Sequence, residues 1–576
     1  MSTTQKPWKR LFGLHRNRTA ENGRVDPPGV RLHAEDAQHI FIDEANAIAY
    51  LDEAKRNVPI YQQWLTAHER LPDTHNVYSL SFVPLGEVNR RREDAFRAAS
   101  GTSHSAGDTS HVRGRAITLL RVAARCGATD IHILRRKSLV QVQFRIRKSL
   151  FVYGELSTAE GDALIIALYR LCAVQDNMFM PAETQDGAIA GDVLEQSGLS
   201  SVRVVRGPAY PVIDGGGHME LRLQTTEKSR GLKIPADVNL RPLPPPPGEL
   251  RLAEYGFSEL QINKILYAAA ALSGAIIVTG PTGSGKNTTN FEVSRWQAQT
   301  RPDKRTIEIG QPIEYPMPWA VQLEVSNAHT EEIAGKLFLE NFRYSLRMDP
   351  DRLIVSEIRG AEIALTMYGA AQTGHQVLTT MHVDDPFDFP LRLQGMDYER
   401  LAPRVTCNSS IIRCVIAQRL VPHVCPHCSL PWDESDARLP RMAIDAFTSW
   451  GDVSKARMVR PGGCERCEFM GVHHVSAVAE VVLTDEELMN DIISKGVAVA
   501  RRRYRSRDDA DTSMVEKAIR LALAGTIDPM AIVSEVGQIP FRDHVELDRR
   551  RGRAERMAAA KAAAQALQLA DGELFA

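Results

Sequence analysis

The chain has 576 residues, too many for one hydrophobic core, and suggests about three to four domains. Its 43% hydrophobic and 24% charged residues are those of an ordinary globular protein, and 70 basic against 71 acidic side chains leave no net field, which argues against nucleic-acid binding through bulk charge. No apolar run reaches the roughly 18 residues of a membrane span, and the basic N-terminus MSTTQKPWKRLFGLHRNR lacks the apolar segment of a secretory signal, so a cytoplasmic protein is expected.

Residues 1–25 are basic and polar and read as a flexible tail; the alternative is a short amphipathic helix presenting Trp8, Leu11, Phe12 and Leu14 to a membrane or partner. Residues 26–105, with IFIDEANAIAYLDEAKRNVPIYQQWLTAHERL, carry helical patterns and predict a small helical N-terminal domain. The run GTSHSAGDTSH, Gly101 to His111, is a flexible break. Residues 112–235 alternate an amphipathic helix, GRAITLLRVAARCGA, with β-patterned runs such as SLVQVQFRI and HMELRLQ, which predicts an α+β domain. Residues 236–250 contain RPLPPPPGEL, which suits neither helix nor central sheet and reads as a semi-rigid hinge.

Residues 251–420 are expected to form an α/β nucleotide-binding domain. Within Ser273 to Thr279 the core Ala-Ile-Ile-Val reads as a buried parallel strand, and a helix is expected from Lys286. Between them stands GPTGSGKNTT, a phosphate-binding loop. Gly280, Gly283 and Gly285 let the backbone curl around Thr282 and Ser284, so that successive N–H groups and the positive helix end face a polyphosphate. Lys286 then reaches the β and γ phosphates of a nucleotide such as ATP. The next residue normally supplies a hydroxyl to Mg²⁺; here it is Asn287, a longer amide, with Thr288 and Thr289 as out-of-register substitutes.

Downstream, Leu353-Ile354-Val355 reads as a second core strand ending in Ser356-Glu357, which puts the Glu357 carboxylate where a metal- or water-polarising acid belongs. A third apolar segment, Gln376 to Thr380, is bracketed by His375 and His382, which are either structural or sensors of the γ phosphate. Residues 421–480 carry two C-x-x-C hooks, Cys425 with Cys428 and Cys464 with Cys467, able to wrap one structural Zn²⁺; the alternative is four reduced thiols, and His427 and His473 are spare ligands. Cys126, Cys172, Cys407 and Cys414 lack such pairing and read as core residues. Residues 481–548 form a helical C-terminal region, and 549–576 an Ala-rich, solvated helical tail.

Several of these segments resemble one family. AQTGHQVLTTMH, Ala371 to His382, and DPDRLIVSEIRGAE, Asp349 to Glu362, are similar to the His box and Walker B region of type IV pilus assembly and type II secretion ATPases. ATDIHI from Ala128, VIAQRLVPHVCPHC from Val415, and GGCERCEFMG from Gly462 followed by AEVV resemble that family's N2 opening and the two halves of its zinc module, in the same order. The resemblance implies a RecA-like P-loop core preceded by an N2 domain. It also implies a homohexameric cytoplasmic motor, peripheral at the inner membrane, where a pilus or secretion platform protein is its partner. By the same carry-over, Arg203 and Arg222 sit where N2 arginines reach the bound triphosphate, and the four-cysteine insert favours extension over retraction.

The family's Asp box, Glu-Asp-Pro-x-Glu, appears as Gly310-Gln311-Pro312-Ile313-Glu314, so only Glu314 remains, and the acid after the Walker B arginine is Gly360. Two readings follow. In the first, an ATP-hydrolysing motor uses Glu357, Glu314, His382, His375, Arg203 and Arg222, with Mg²⁺ held partly by solvent. In the second, a nucleotide-binding scaffold hydrolyses very slowly. A DNA-transfer ATPase would share the core but has no need of the cysteine hooks, and no specific nucleic acid is expected.

Overall fold

The computed structural model describes residues 39–43, 48–59, 62–63, 79–85, 87–88, 91 and 106–573, apart from 176–177, 196, 227–233, 326–329 and 436–437. The expected tail, 1–25, lies outside the described residues. The chain divides into two compact units, Met1–Gly114 and Arg115–Ala576.

In the first unit the expectation of a helical domain is corrected for the described residues, which include a three-stranded sheet. Strand β1 (Ile40–Asp43) pairs antiparallel with β2 (Ile48–Asp52), which pairs parallel with β3 (Ser79–Val83). Runs of four and five residues are too short for helical and strand periods to be told apart. Cross-strand packing decides: Phe41 lies opposite Tyr50 with ring centroids 6.4 Å apart, and both rings are buried.

The second unit begins within α1 (Ala106–Arg125) and continues with β4 (Ala128–Arg135), β5 (Val140–Ile146), β6 (Ser149–Leu156), α2 (Thr158–Arg170), β7 (Val174–Gln175), β8 (Gln185–Ile189), β9 (Leu199–Pro208), β10 (Gly217–Thr225) and β11 (Arg241–Pro242). These strands form an antiparallel sheet in the order β11-β6-β5-β4-β10-β9-β8-β7. Ser157 and Glu160 form a reciprocal capping box that starts α2. Leu120, Ala123, Leu164 and Leu168 of the two helices share one core with Ile131, Ile133, Val204 and Leu221 of the strands. The proline connector is no loose tether. Arg241 and Pro242 extend the sheet edge beside β6, and Gln299 donates to the Pro246 carbonyl at 3.0 Å.

Next come α3 (Glu259–Ala269), β12 (Gly274–Thr279), α4 (Lys286–Thr300), β13 (Thr306–Gly310), β14 (Ala320–Glu324), α5 (Glu331–Ser345), β15 (Arg352–Val355), α6 (Ala361–Gln372), β16 (Gln376–Met381), α7 (Phe389–Met396) and β17 (Ile412–Val424). The sheet order is β14-β13-β15-β16-β12-β17-β20, parallel as far as β17, with β20 (Val472–Leu483) added antiparallel. Central strands are buried on both faces, as the unbroken apolar run of β12 requires. Ala275 and Ile277 join one core with Phe338, Phe342 and Met367, while Ile276 and Val278 join the other with Ile265, Ala268 and Val293.

Strands β17 and β20 run beyond the sheet as a two-stranded arm whose tip carries the four cysteines. Between them lie β18 (Leu430–Pro431), α8 (Arg441–Thr448) and β19 (Arg457–Met458), and after them α9 (Glu486–Lys495), α10 (Val497–Arg505), α11 (Met514–Leu523) and α12 (Arg542–Glu573). The expected solvated tail is docked over its first half: Glu555 pairs with Arg502, Arg549 pairs with Glu516, and Gly552 is buried against α10. No helix among the described residues is long and apolar enough to cross a membrane.

Candidate phosphate-binding site

The loop leaves the carboxyl end of β12 and enters α4 through three glycines in the left-handed region, with φ of 148° at Gly280, 79° at Gly283 and 81° at Gly285. Space also demands glycine at 280, since a Cβ there would lie 2.5 Å from the Gln418 carbonyl oxygen. Gly285 caps α4 without any side-chain hydrogen bond, so the first N–H groups of the helix stay available to an anion. Lys286 Nζ donates to the carbonyls of Gly280 at 2.9 Å and Pro281 at 2.7 Å, folding its charge over the cradle. Burial draws its ammonium below the usual range against the pull of nearby Glu357, with Arg419 adding to the drop.

Two carboxylates converge on this loop. Asn287 Nδ2 donates to Glu314 Oε1 at 2.6 Å, and the Thr288 hydroxyl meets the Tyr315 hydroxyl at 2.9 Å. Glu357, two residues beyond β15, pairs through Oε2 with Arg359 Nε at 2.8 Å and through Oε1 with His382 Nε2 at 3.2 Å. The departures from the family pattern differ physically. At Gly310 the Cβ of an acid would meet Ile313 Cδ1 at 2.5 Å, whereas at Gly360, the N-cap of α6, nothing lies within 4 Å. A side chain at 310 therefore requires the tip of Ile313 to shift, whereas 360 has open room for one.

Gln418 and Arg419 were not singled out by the sequence reading. Register between β12 and β17 sets Ala417 opposite Thr279, so the next two residues flank the loop. Gln418 accepts from Thr289 Oγ1 at 2.8 Å and donates to the Ser284 carbonyl at 2.6 Å. Arg419, buried, reaches exposed Asp384 at 2.7 Å and borders Gly280. No local sequence signal marks them, because strand register sets their place.

Three expected residues are not brought to the loop. His375 and His382 flank β16 at opposite ends: His375 precedes the strand and its Nδ1 is held by the Ala370 carbonyl at 3.0 Å. Six residues of strand separate it from the phosphate edge, about 20 Å at 3.3 Å per residue. Arg203 and Arg222 face each other across β9 and β10. Arg222 pairs with Asp130 at 2.8 Å and with Asp349 at 3.3 Å, and Asp349 precedes β15 at that same far edge. Both arginines line a cavity of about 210 Å³ together with Asp130, Glu220 and Arg347.

At the tip of the arm the four cysteine sulfurs all lie within 4.8 Å of one another. Four thiolates at about 2.3 Å around a tetrahedral ion stand about 3.8 Å apart. The observed Sγ separations are 4.0 Å for Cys425–Cys464, 3.8 Å for Cys428–Cys467 and 3.8 Å for Cys464–Cys467, so the donor set fits zinc. Although burial opposes it, the Cys467 thiol is drawn down to about 6, chiefly by the backbone N–H donors of Cys464 and Gly471, each 3.2 Å from its sulfur. The spare histidines are engaged elsewhere: His427 meets Arg466, and His473 meets the Val424 carbonyl. Cys126, Cys172, Cys407 and Cys414 are buried away from this group.

The chain is 30% identical over 407 residues to the type IV pilus assembly ATPase PilB of Thermus thermophilus, a match covering 71% of this chain and 41% of that protein. It is 29% identical over 375 residues to the type II secretion system protein E of Klebsiella pneumoniae, covering 64% of this chain and 65% of that protein. The chain thus spans less than two thirds of the length of either relative. Among solved structures, the pilus retraction motor PilT with bound ADP is similar with a TM-score of 0.35 and 20% identity, covering 73% of this chain and 96% of that one. The sequence model of the family described as type II/IV secretion system protein matches residues 108–536, well over half of the chain, which therefore belongs to that family.

Proposed function

We propose that this chain is an ATP hydrolase acting as a homohexameric motor at the cytoplasmic face of the inner membrane, where it powers pilin polymerisation in type IV pilus assembly or in the related type II secretion pseudopilus. Membership in a family of secretion ATPases supports the reaction class. The observation that carries the reading is Glu357, a carboxylate at the end of a core strand beside the phosphate loop, with its second oxygen oriented by His382.

In the reaction, loop amides and the start of α4 hold the β and γ phosphates, and Lys286 exchanges the Gly280 and Pro281 carbonyls for phosphate oxygens. Glu357 takes a proton from the attacking water as the bond from the γ phosphorus to the bridging oxygen breaks, yielding ADP and inorganic phosphate. Family membership implies Mg²⁺ use, but this chain does not present the usual ligand. Asn287 spends its amide on Glu314, Thr288 meets Tyr315 and Thr289 meets Gln418, so the catalytic assignment rests on Glu357, His382, Lys286 and the amides.

Closure of the sheet that carries Arg203 and Arg222 over a triphosphate bound on a neighbouring subunit would supply the stroke, and the described N-terminal unit is the candidate dock for a membrane platform protein. A single Zn²⁺ on Cys425, Cys428, Cys464 and Cys467 would be structural, since four thiolates leave no open position. Phosphate release from the purified oligomer tests the reaction. The parent is expected to turn over, Lys286→Ala to lose nucleotide binding, and Glu357→Gln to bind ATP while losing about a hundredfold or more in rate. A parent that binds ATP yet releases no phosphate above background overturns the motor in favour of a nucleotide-dependent scaffold.

A further inference from the structure

We infer that the Asn287–Glu314 hydrogen bond replaces the Mg²⁺ bridge of an ordinary phosphate loop, so that this site takes nucleoside di- and triphosphates with an affinity nearly independent of Mg²⁺. The inference rests on the nucleotide-binding reading above and concerns the binding step alone.

In the usual arrangement a Ser or Thr hydroxyl at the position of Asn287 ligates the metal, which then links the first turn of the helix, the phosphates and a nearby acid. Here the helix and the acid are linked directly. Asn287 Nδ2 lies 2.6 Å from Glu314 Oε1, and the next residue repeats the contact, Thr288 Oγ1 to Tyr315 Oη at 2.9 Å. Two consecutive residues of α4 therefore clasp two consecutive residues of the segment after β13. That segment is also fixed from β14, because Gln322 donates to the Tyr315 carbonyl at 2.8 Å and accepts from Met317 N at 2.9 Å. The clasp belongs to a braced structure.

Two further oxygen donors near the loop are engaged as well. Thr289 Oγ1 is buried on Gln418, and Glu357 is shared between Arg359 and His382. A small divalent cation selects anionic and hydroxyl oxygens, and positions 310, 311 and 360 offer none or only a neutral amide. The phosphate charge instead meets Lys286 and Arg419, which border the loop. Asn287 is thus a positioning residue: it holds the segment bearing Glu314 against the helix that carries the phosphate cradle.

Calorimetric titration of the full-length protein with ADP and with a non-hydrolysable ATP analogue, once in magnesium chloride and once in EDTA, tests this. The parent's two dissociation constants are expected to agree within about threefold, and Asn287→Thr to acquire a Mg²⁺ enhancement of about tenfold or more. Glu314→Gln keeps an oxygen that accepts from Asn287 and should retain the Mg²⁺-free affinity, while Glu314→Ala should weaken binding equally with and without the metal. A metal bridge predicts the reverse for Glu314→Gln. Tenfold tighter parent binding with Mg²⁺ would overturn this inference alone. No binding under either condition overturns the nucleotide-binding reading with it.

Discussion

Glu308 should make this protein less stable as the solution turns from acid to neutral, and Glu308→Gln should abolish that loss. The residue lies on β13 two positions before Gly310 and so on the same face of the strand, 8% exposed, with its carboxylate accepting from Gln322 Nε2. Burial raises its carboxyl to about 7, opposed by the Gln322 amide and assisted by the charge of Glu314. Relative to the ordinary value of 4.5, this corresponds to about 3 kcal/mol at 1.36 kcal/mol per pH unit. The folded-state value lies above the unfolded one, so between the two the native state holds a proton that the unfolded chain has released. Stability therefore falls as pH rises from about 4.5 to about 7 and is flat for this group above that. Glutamine keeps a neutral acceptor for Gln322 and cannot ionise. Parent and variant are expected to melt together at about pH 4, with the variant more stable by up to about 3 kcal/mol at about pH 8. Differential scanning calorimetry across this range reads the effect, and other titrating groups cancel because both proteins carry them. Melting curves that stay parallel across the whole range would refute the reasoning.

Metal analysis of the purified protein should find one zinc per chain. Stripping it with a chelator should open 425–471 to protease while the seven-stranded sheet stays resistant, because the ion ties only the tip of the β17–β20 arm. At Gly552 a Cβ would meet the Arg502 carbonyl oxygen at 2.5 Å, so Gly552→Leu should cost about 1–3 kcal/mol and raise hydrogen exchange along α12 and α10.

The phosphate loop was legible because three independent signals coincide within it: an apolar strand, glycines at the turning positions, and a lysine at the helix start. Glu357 was legible from its place at the end of a second apolar run. His375 was misplaced because the apolar run between it and His382 has two ends, and only one faces the loop; the parallel pairing of β16 with β12 decides which. The short runs around Ile40 and Ile48 read as helix because four or five residues hold barely one helical turn of pattern, and strand pairing settled them. Gln418 and Arg419 carry no motif of their own. Their role comes from register with a strand well over a hundred residues earlier in the chain, which no local pattern encodes. The partner of Asn287 was hidden for the same reason: the departure at 287 was visible, its hydrogen bond to residue 314 was not.

The far-edge position of Arg203 and Arg222 constrains how the two sheets of the second unit can move. Few apolar residues cross between them: Leu134, Val205 and Ala209 join the core of the parallel sheet, and charge pairs supply much of the rest. These pairs are unequal. Across the sheets, half-exposed Arg222 reaches Asp349, and Arg347 on Asp186 is more exposed still, so each is worth at most about 1 kcal/mol. Arg305 on Glu220 is buried on both sides, and separating such a pair strands a charge at about 3–5 kcal/mol. Arg145 on Asp349 and Asp351 is nearly as enclosed. A swing that carried Arg222 to the loop of its own subunit would have to break these buried pairs and cross about 20 Å of strand. A motion that kept both sheets together and presented the arginines to a bound triphosphate on a neighbouring subunit would break only the exposed ones, and for a ring of such chains it is the less costly route by several kcal/mol.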